Sequence, residues 1–109
     1  MPVPERGDLV YANFNPQAGH EQSGHRPGIV LSPKEFNEVT GFAAICPITN
    51  TIRGWGYEVE LPMGLAFQGV ILTDQVKNLD WSYRNFQVRG QAPQSVVNDC
   101  LARIATFLT

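Results

Sequence analysis

The chain has 109 residues, 43% of them hydrophobic and 10% aromatic, with a net charge of −2 at pH 7. Length and apolar content together specify a single folded domain over residues 1–109 with its own core, which excludes a disordered chain. No apolar run approaches the roughly 20 residues that span a bilayer. The slightly acidic balance excludes attraction of nucleic acid by an overall basic field, so any RNA contact depends on where the eight Lys and Arg residues stand.

The first residues, MPVPERGD, carry no hydrophobic signal core, so no export is expected and the cytoplasm is the expected location. Cys46 and Cys100 form neither a disulfide framework nor a metal-ligand spacing. Both are expected to pack as small hydrophobes in a reducing cytosol, and no metal or other cofactor is expected.

Leu9 to Phe14 reads as a first strand, rich in β formers and ended by Asn15-Pro16. A polar loop of about ten residues follows, long enough to be functional. Gly28 to Leu31 is apolar on both faces and reads as a central strand, with Pro27 as its first residue. Ser32-Pro33 opens a short helix ending near Thr40-Gly41, with Ser32 as N-cap and Glu35 three residues beyond it, as in a capping box. Phe42 to Ile48 is a third strand, and Pro47 near its end suggests an edge or a bulge. Residues 49–56 form a loop, Tyr57 to Leu61 alternates as a strand with one wet face, and Gly69 to Leu72 is another buried strand. Leu79-Asp80-Trp81 reads as a turn and Phe86 to Arg89 as the last strand. Pro93 then starts a helix to about Leu108, with Val97, Cys100, Leu101, Ile104 and Leu108 on one stripe, widened by Val96 and Phe107. Short strands at this spacing plus one closing helix specify a β-rich α+β fold, a small, strongly curved antiparallel barrel.

The chemistry concentrates in GHEQSGHRPGIVLSP, Gly19 to Pro33. Pro27 forces its predecessor out of the helical region, so Arg26 should be extended at the rim of the sheet. Glu21 and His25 stand on the loop leading into it. An acid, an imidazole and a fixed guanidinium are the parts needed to cut a phosphodiester without metal. The acid deprotonates a 2′-hydroxyl, the guanidinium stabilises the phosphorane, and an imidazolium or arginine protonates the leaving 5′-oxygen. Side chains alternate along an extended segment, so His25 and Arg26 point apart unless the loop bends. His20 reads as loop decoration. Arg53 and Trp55 lie in a glycine-flanked loop, where the Trp55 ring either stacks on a splayed base or packs on its own subunit or a dimer partner. Lys77, Arg84 and Arg89 are candidate RNA backbone contacts, and Trp81 reads as buried structure.

The strings EQSGHRPGIVLSP, CPITNT and TDQVKNLDW, in that order after GDLVYANFNP and before a C-terminal helix, resemble the MazF/PemK/Kid toxins. The resemblance covers nearly the whole chain. It implies an SH3-like barrel, a two-fold homodimer, and a sequence-specific endoribonuclease acting on single-stranded RNA. It also implies neutralisation by a small MazE-like antitoxin with a disordered tail. Residue by residue, it implies Arg26 as the arginine of the family's RP motif, Glu21 as its acid and general base, and Thr49 as a threonine near the scissile phosphate. His25 is a candidate to donate the proton or to bind phosphate. Gln22, Asn50, Arg53, Trp55, Asp74, Gln75 and Lys77 are the candidate RNA-binding residues. One plasmid branch of the family pairs an acid at the place of Asp74 with an arginine two residues earlier, where this chain has Leu72. That departure shifts the weight to Glu21 and Arg26 and leaves Asp74 and Gln75 to order the loop or read a base. Two other readings compete: a gyrase poison resembling CcdB, which needs no acid beside HRP, and a non-catalytic RNA-binding barrel.

Overall fold

Alternation along two neighbouring strands puts apolar side chains on both faces of one sheet, and that sheet organises the protein. A computed structural model describes residues 2–15 and 24–108. Its strands are β1 (Asp8–Asn13), β2 (His25–Val30), β3 (Phe42–Thr49), β4 (Glu58–Glu60), β5 (Val70–Leu72), β6 (Lys77–Asp80) and β7 (Gln87–Gln91). The helices are α1 (Lys34–Thr40) and α2 (Gln94–Leu108). The sheet follows the order β4-β5-β3-β2-β1-β7, with β6 also paired to β3, and every ladder is antiparallel. A sheet-rich antiparallel fold with a C-terminal helix is thus what the chain forms, as a curved ladder whose path ends at β4 and β7.

Leu9, Ile29, Leu31, Cys46, Ile48 and Ile71 pack on one face with Val96, Val97 and Cys100 of α2. Val10, Ala12, Phe14, Val30, Ala43 and Ile45 pack on the other with Leu79 and Phe86. Adjacent residues such as Leu9 and Val10, or Ile29 and Val30, therefore enter different cores, which explains why β1 and β2 carry no polar alternation.

Several boundaries differ from the sequence reading for physical reasons. Leu79 and Asp80 belong to strand β6, paired to Ala43 and Phe42, and not to a turn. Ser32 does not cap α1; Pro33 holds that position without a side-chain cap. The Ser32 hydroxyl is taken by buried Asn37, whose Oδ1 accepts it at 2.5 Å, while Ser32 Oγ accepts the Ala44 N–H at 2.8 Å. Pro47 is not in a bulge but at a local gap in the outer pairing of β3, which has no outer partner at Cys46 or Pro47. It is fully buried opposite Gly28, where the outer neighbour of β3 changes from β6, paired through Ile45, to β5, paired from Ile48. Val96 is core, leaving Phe107 and Leu108 as the large exposed apolar side chains of α2. Trp81 is half-buried against the second core and donates its Nε1–H to the Asn37 carbonyl at 2.8 Å. Among the described residues, no helix is long and apolar enough to cross a membrane.

Candidate active site

Strand β2 begins at His25 and pairs with β1 through Tyr11↔Pro27, Ala12↔Arg26 and Asn13↔His25. Its ladder to β3 starts only at Gly28↔Pro47. Pro27 therefore lies where β2 has a strand on one side alone, so its missing N–H breaks no ladder to β3. Arg26 is exposed, and its guanidinium carbon lies 5.8 Å from the centre of the Phe14 ring. Phe14 is itself buried in the second core, so the cation rests on a fixed aromatic base.

Arg26 lines a cleft of about 290 Å³ together with Thr49, Thr51, Arg53, Leu72 and Gln75. Two guanidinium groups, two hydroxyls and an amide face this space, a donor-rich lining suited to a phosphate with a base beside it. Thr49 Oγ1 accepts the Thr51 N–H at 3.2 Å, which leaves its own hydroxyl proton to donate into the cleft. Among the described residues, no carboxylate lines the cleft and no three His, Cys, Asp or Glu side chains gather as a metal-binding group. Glu21, Gln22 and His20 lie outside the described residues.

The remaining candidates are not gathered there. His25 stands on the other face of β2, its ring 5.6 Å from that of Tyr11, and its Nδ1 is buried with no partner among the described residues. The Arg89 guanidinium lies 5.4 Å from the same Tyr11 ring, so Tyr11 is flanked by an imidazole and a cation. Arg89 occupies a bulge of β7, between the pairs Val10↔Val88 and Leu9↔Gly90, which is what aims it there. Arg84 donates to the Asn13 carbonyl at 3.4 Å and to the Asn15 carbonyl, at the end of β1. Asp74 sits beside Gln75 with Oδ1 buried and unpartnered among the described residues. Asn50 and Lys77 are exposed and do not line the cleft. Trp55 is 47% exposed and meets Tyr57 edge-on at 6.1 Å, so it packs partly on its own chain.

Two participants escaped the sequence reading. Thr51 shares the cleft; its signal was the Thr-Asn-Thr repeat that puts a second hydroxyl two residues after Thr49. Glu58 lies outside the cleft but accepts hydrogen bonds from the backbone N–H groups of Arg53 and Gly54, and nothing in its strand pattern announced that.

A small antiparallel sheet with a C-terminal helix and an arginine–threonine cleft at one end defines a class that comparison with known proteins makes specific. Residues 5–108 match the family model described as the PemK-like, MazF-like toxin of type II toxin–antitoxin systems, and the chain belongs to that family. It is 42% identical over 95 residues to the endoribonuclease toxin MazF of Escherichia coli K12, covering 86% of this chain and 85% of that one. Among solved structures, it resembles MazF of Deinococcus radiodurans with a TM-score of 0.89 and 42% identity, over 99% of this chain and 98% of that one. It also resembles a chain of a MazE–MazF structure from the same organism, with a TM-score of 0.87 and 36% identity over 99% and 97% of the two chains.

Proposed function

We propose that this chain is the endoribonuclease toxin of a toxin–antitoxin pair, cutting single-stranded RNA at a short sequence without metal. The observation that carries this reading is the cleft in which Arg26 and Arg53 face Thr49, Thr51 and Gln75, in a chain of the MazF/PemK family. The scissile phosphate lies against the Arg26 guanidinium, which meets the negative charge that grows on the phosphorane, while Arg53 binds the RNA beside it. Thr49 and Thr51 donate to phosphate oxygens, and Gln75 reaches the adjoining base. Glu21 removes the 2′-hydroxyl proton. The 2′-oxygen attacks phosphorus, the bond to the 5′-oxygen breaks, and that oxygen takes a proton from Arg26, since His25 stands on the other face of β2. The products are a 2′,3′-cyclic phosphate and a 5′-hydroxyl end.

Residues 1–109 act as one toxin unit in the cytosol, as a homodimer restrained by a MazE-like antitoxin with a disordered tail. An apolar groove of about 320 Å³ beside α2, lined by Leu31, Phe36, Val76, Leu101, Ile104 and Leu108 among others, supports a surface for association.

The test uses long single-stranded RNA in excess EDTA. The chain should still cut, and RNA with 2′-deoxy substitutions at the mapped sites should resist. Arg26→Ala should lower kcat about 10²–10³-fold, as expected for loss of a charge-stabilising donor. Its melting temperature should barely move, because an exposed cation–π contact contributes only about 0.5–1 kcal/mol. Undiminished cutting of the 2′-deoxy substrate overturns the mechanism.

A further inference from the structure

The loop between β3 and β4 supplies Arg53 to the cleft, yet residues 50–57 are all exposed and the loop contains Gly54 at φ 81°. A segment of that composition has little reason to hold one conformation. In this chain it is tied from three sides. The Glu58 carboxylate accepts the Arg53 N–H at 3.0 Å through Oε2 and the Gly54 N–H at 2.8 Å through Oε1. Two successive amides thus close over one anion, with the left-handed glycine making the turn. From α2, Arg103 donates to the Gly56 carbonyl, while its own Nε is fixed by Asp99 at 2.9 Å, one helical turn away. The Tyr57 ring is held edge-on between Trp55 at 6.1 Å and Phe107 of α2 at 5.7 Å.

We infer that Glu58 and Arg103 are positioning residues for substrate binding. Neither lines the cleft, and together they hold the Arg53 loop in its binding conformation before RNA arrives. This rests on the proposed RNA cleavage and adds to it. A pre-set loop spares the complex the entropy of ordering it, so the benefit falls on binding. Loss of either tether should therefore raise KM and leave kcat nearly unchanged, because Arg26 and Thr49 stand on β2 and β3 and do not depend on the loop's tethers. A bond that merely stabilised the fold would show instead as a lower melting temperature with no selective effect on KM.

The experiment combines kinetics with limited proteolysis of the intact protein. Glu58→Ala should raise KM for the mapped RNA about 5- to 20-fold, with Glu58→Gln intermediate because one acceptor oxygen remains. Arg103→Gln, which acts from the opposite end, should give the same pattern. Both should be cut by trypsin after Arg53 faster than the parent, and Glu60→Gln on the same strand should change neither readout. In an Arg53→Ala background, Glu58→Ala should add no further rise in KM, since the guanidinium it positions is gone. An unchanged KM in Glu58→Ala and Arg103→Gln, with the parent active, overturns this inference alone. So does an equal rise in KM with and without Arg53. A parent inert toward RNA overturns the cleavage reading and this inference with it.

Discussion

Gly28 sits two residues along β2 from Arg26, on the same face and directly over the second core. A Cβ built there would come within 2.8 Å of Ile45 Cδ1 and 2.9 Å of Phe14 Cζ, closer than side chains approach in folded proteins. The bare backbone lets Phe14 lie flat enough to serve as the seat for the Arg26 guanidinium. Gly28→Ala should therefore destabilise the fold by about 1–3 kcal/mol through overpacking. It should also lower cleavage by more than the lost stability explains, because Phe14 is displaced beneath the cation. Urea unfolding and kcat measured on the same variant check this, and adding Ile45→Val, which removes the Cδ1 atom, should recover part of both. At this scale the sequence was informative where one residue constrains its neighbour: Pro27 fixed an extended Arg26 at the rim, and strand alternation already set His25 and Arg26 on opposite faces. It was silent on Glu58, whose partners are backbone amides four and five residues away and become neighbours only once the loop closes.

At the scale of elements, the cleft depends on a close crossing. Gly69, at φ 109°, brings the chain into β5 so tightly over the end of β3 that a Cβ would lie 2.1 Å from the Thr49 carbonyl oxygen. Thr49 and Val70 are ladder partners, so this contact sets the height of one wall of the site. Gly69→Ala combines a left-handed backbone with a collision against backbone that cannot swing aside. We expect a loss of at least about 2 kcal/mol, read as a lower urea midpoint, together with a raised KM because Thr49 and Thr51 move with the wall. A midpoint equal to that of the parent would contradict it. The strands carrying this wall were legible as elements because apolar runs and glycine or proline punctuation bound them. β6 was not, since Lys77-Asn78-Leu79-Asp80 offers one buried apolar side chain and two exposed polar ones. Its strand state comes from pairing with β3, a partner more than thirty positions away in the chain. The capping box at Ser32 failed for a related reason, since a buried asparagine that must satisfy its own amide competes for the hydroxyl.

For the molecule as a whole, the consequence of two cores on one sheet is that both cysteines are shut inside the core that α2 covers. Burial is the main reason the Cys100 thiol is pushed up to about 12, with the nearby Asp99 carboxylate adding to the shift and Arg103 partly opposing it. Burial likewise pushes Cys46 up, with Cys100 and then Asp74 reinforcing it. In the unfolded chain both thiols ionise near their ordinary value of about 9. Below that pH neither state has lost a proton, and the fold keeps its full stability. Above it the unfolded chain releases two protons that the folded one retains, so stability falls steadily as pH climbs from about 9 toward 12. The expected measurement is a urea midpoint that is flat with respect to these thiols up to pH 9 and then declines. The double variant Cys46→Ala, Cys100→Ala should start lower, because its core is underfilled, yet decline less steeply over the same range. The same burial makes both thiols inert to an aromatic disulfide reagent at pH 8 until urea opens the sheet–helix core, since only the thiolate reacts and only where it is reached. Rapid labelling of either cysteine in the folded protein would mean that α2 does not seal this face, and the anchorage of the Arg53 loop through Arg103 would lose its foundation with it.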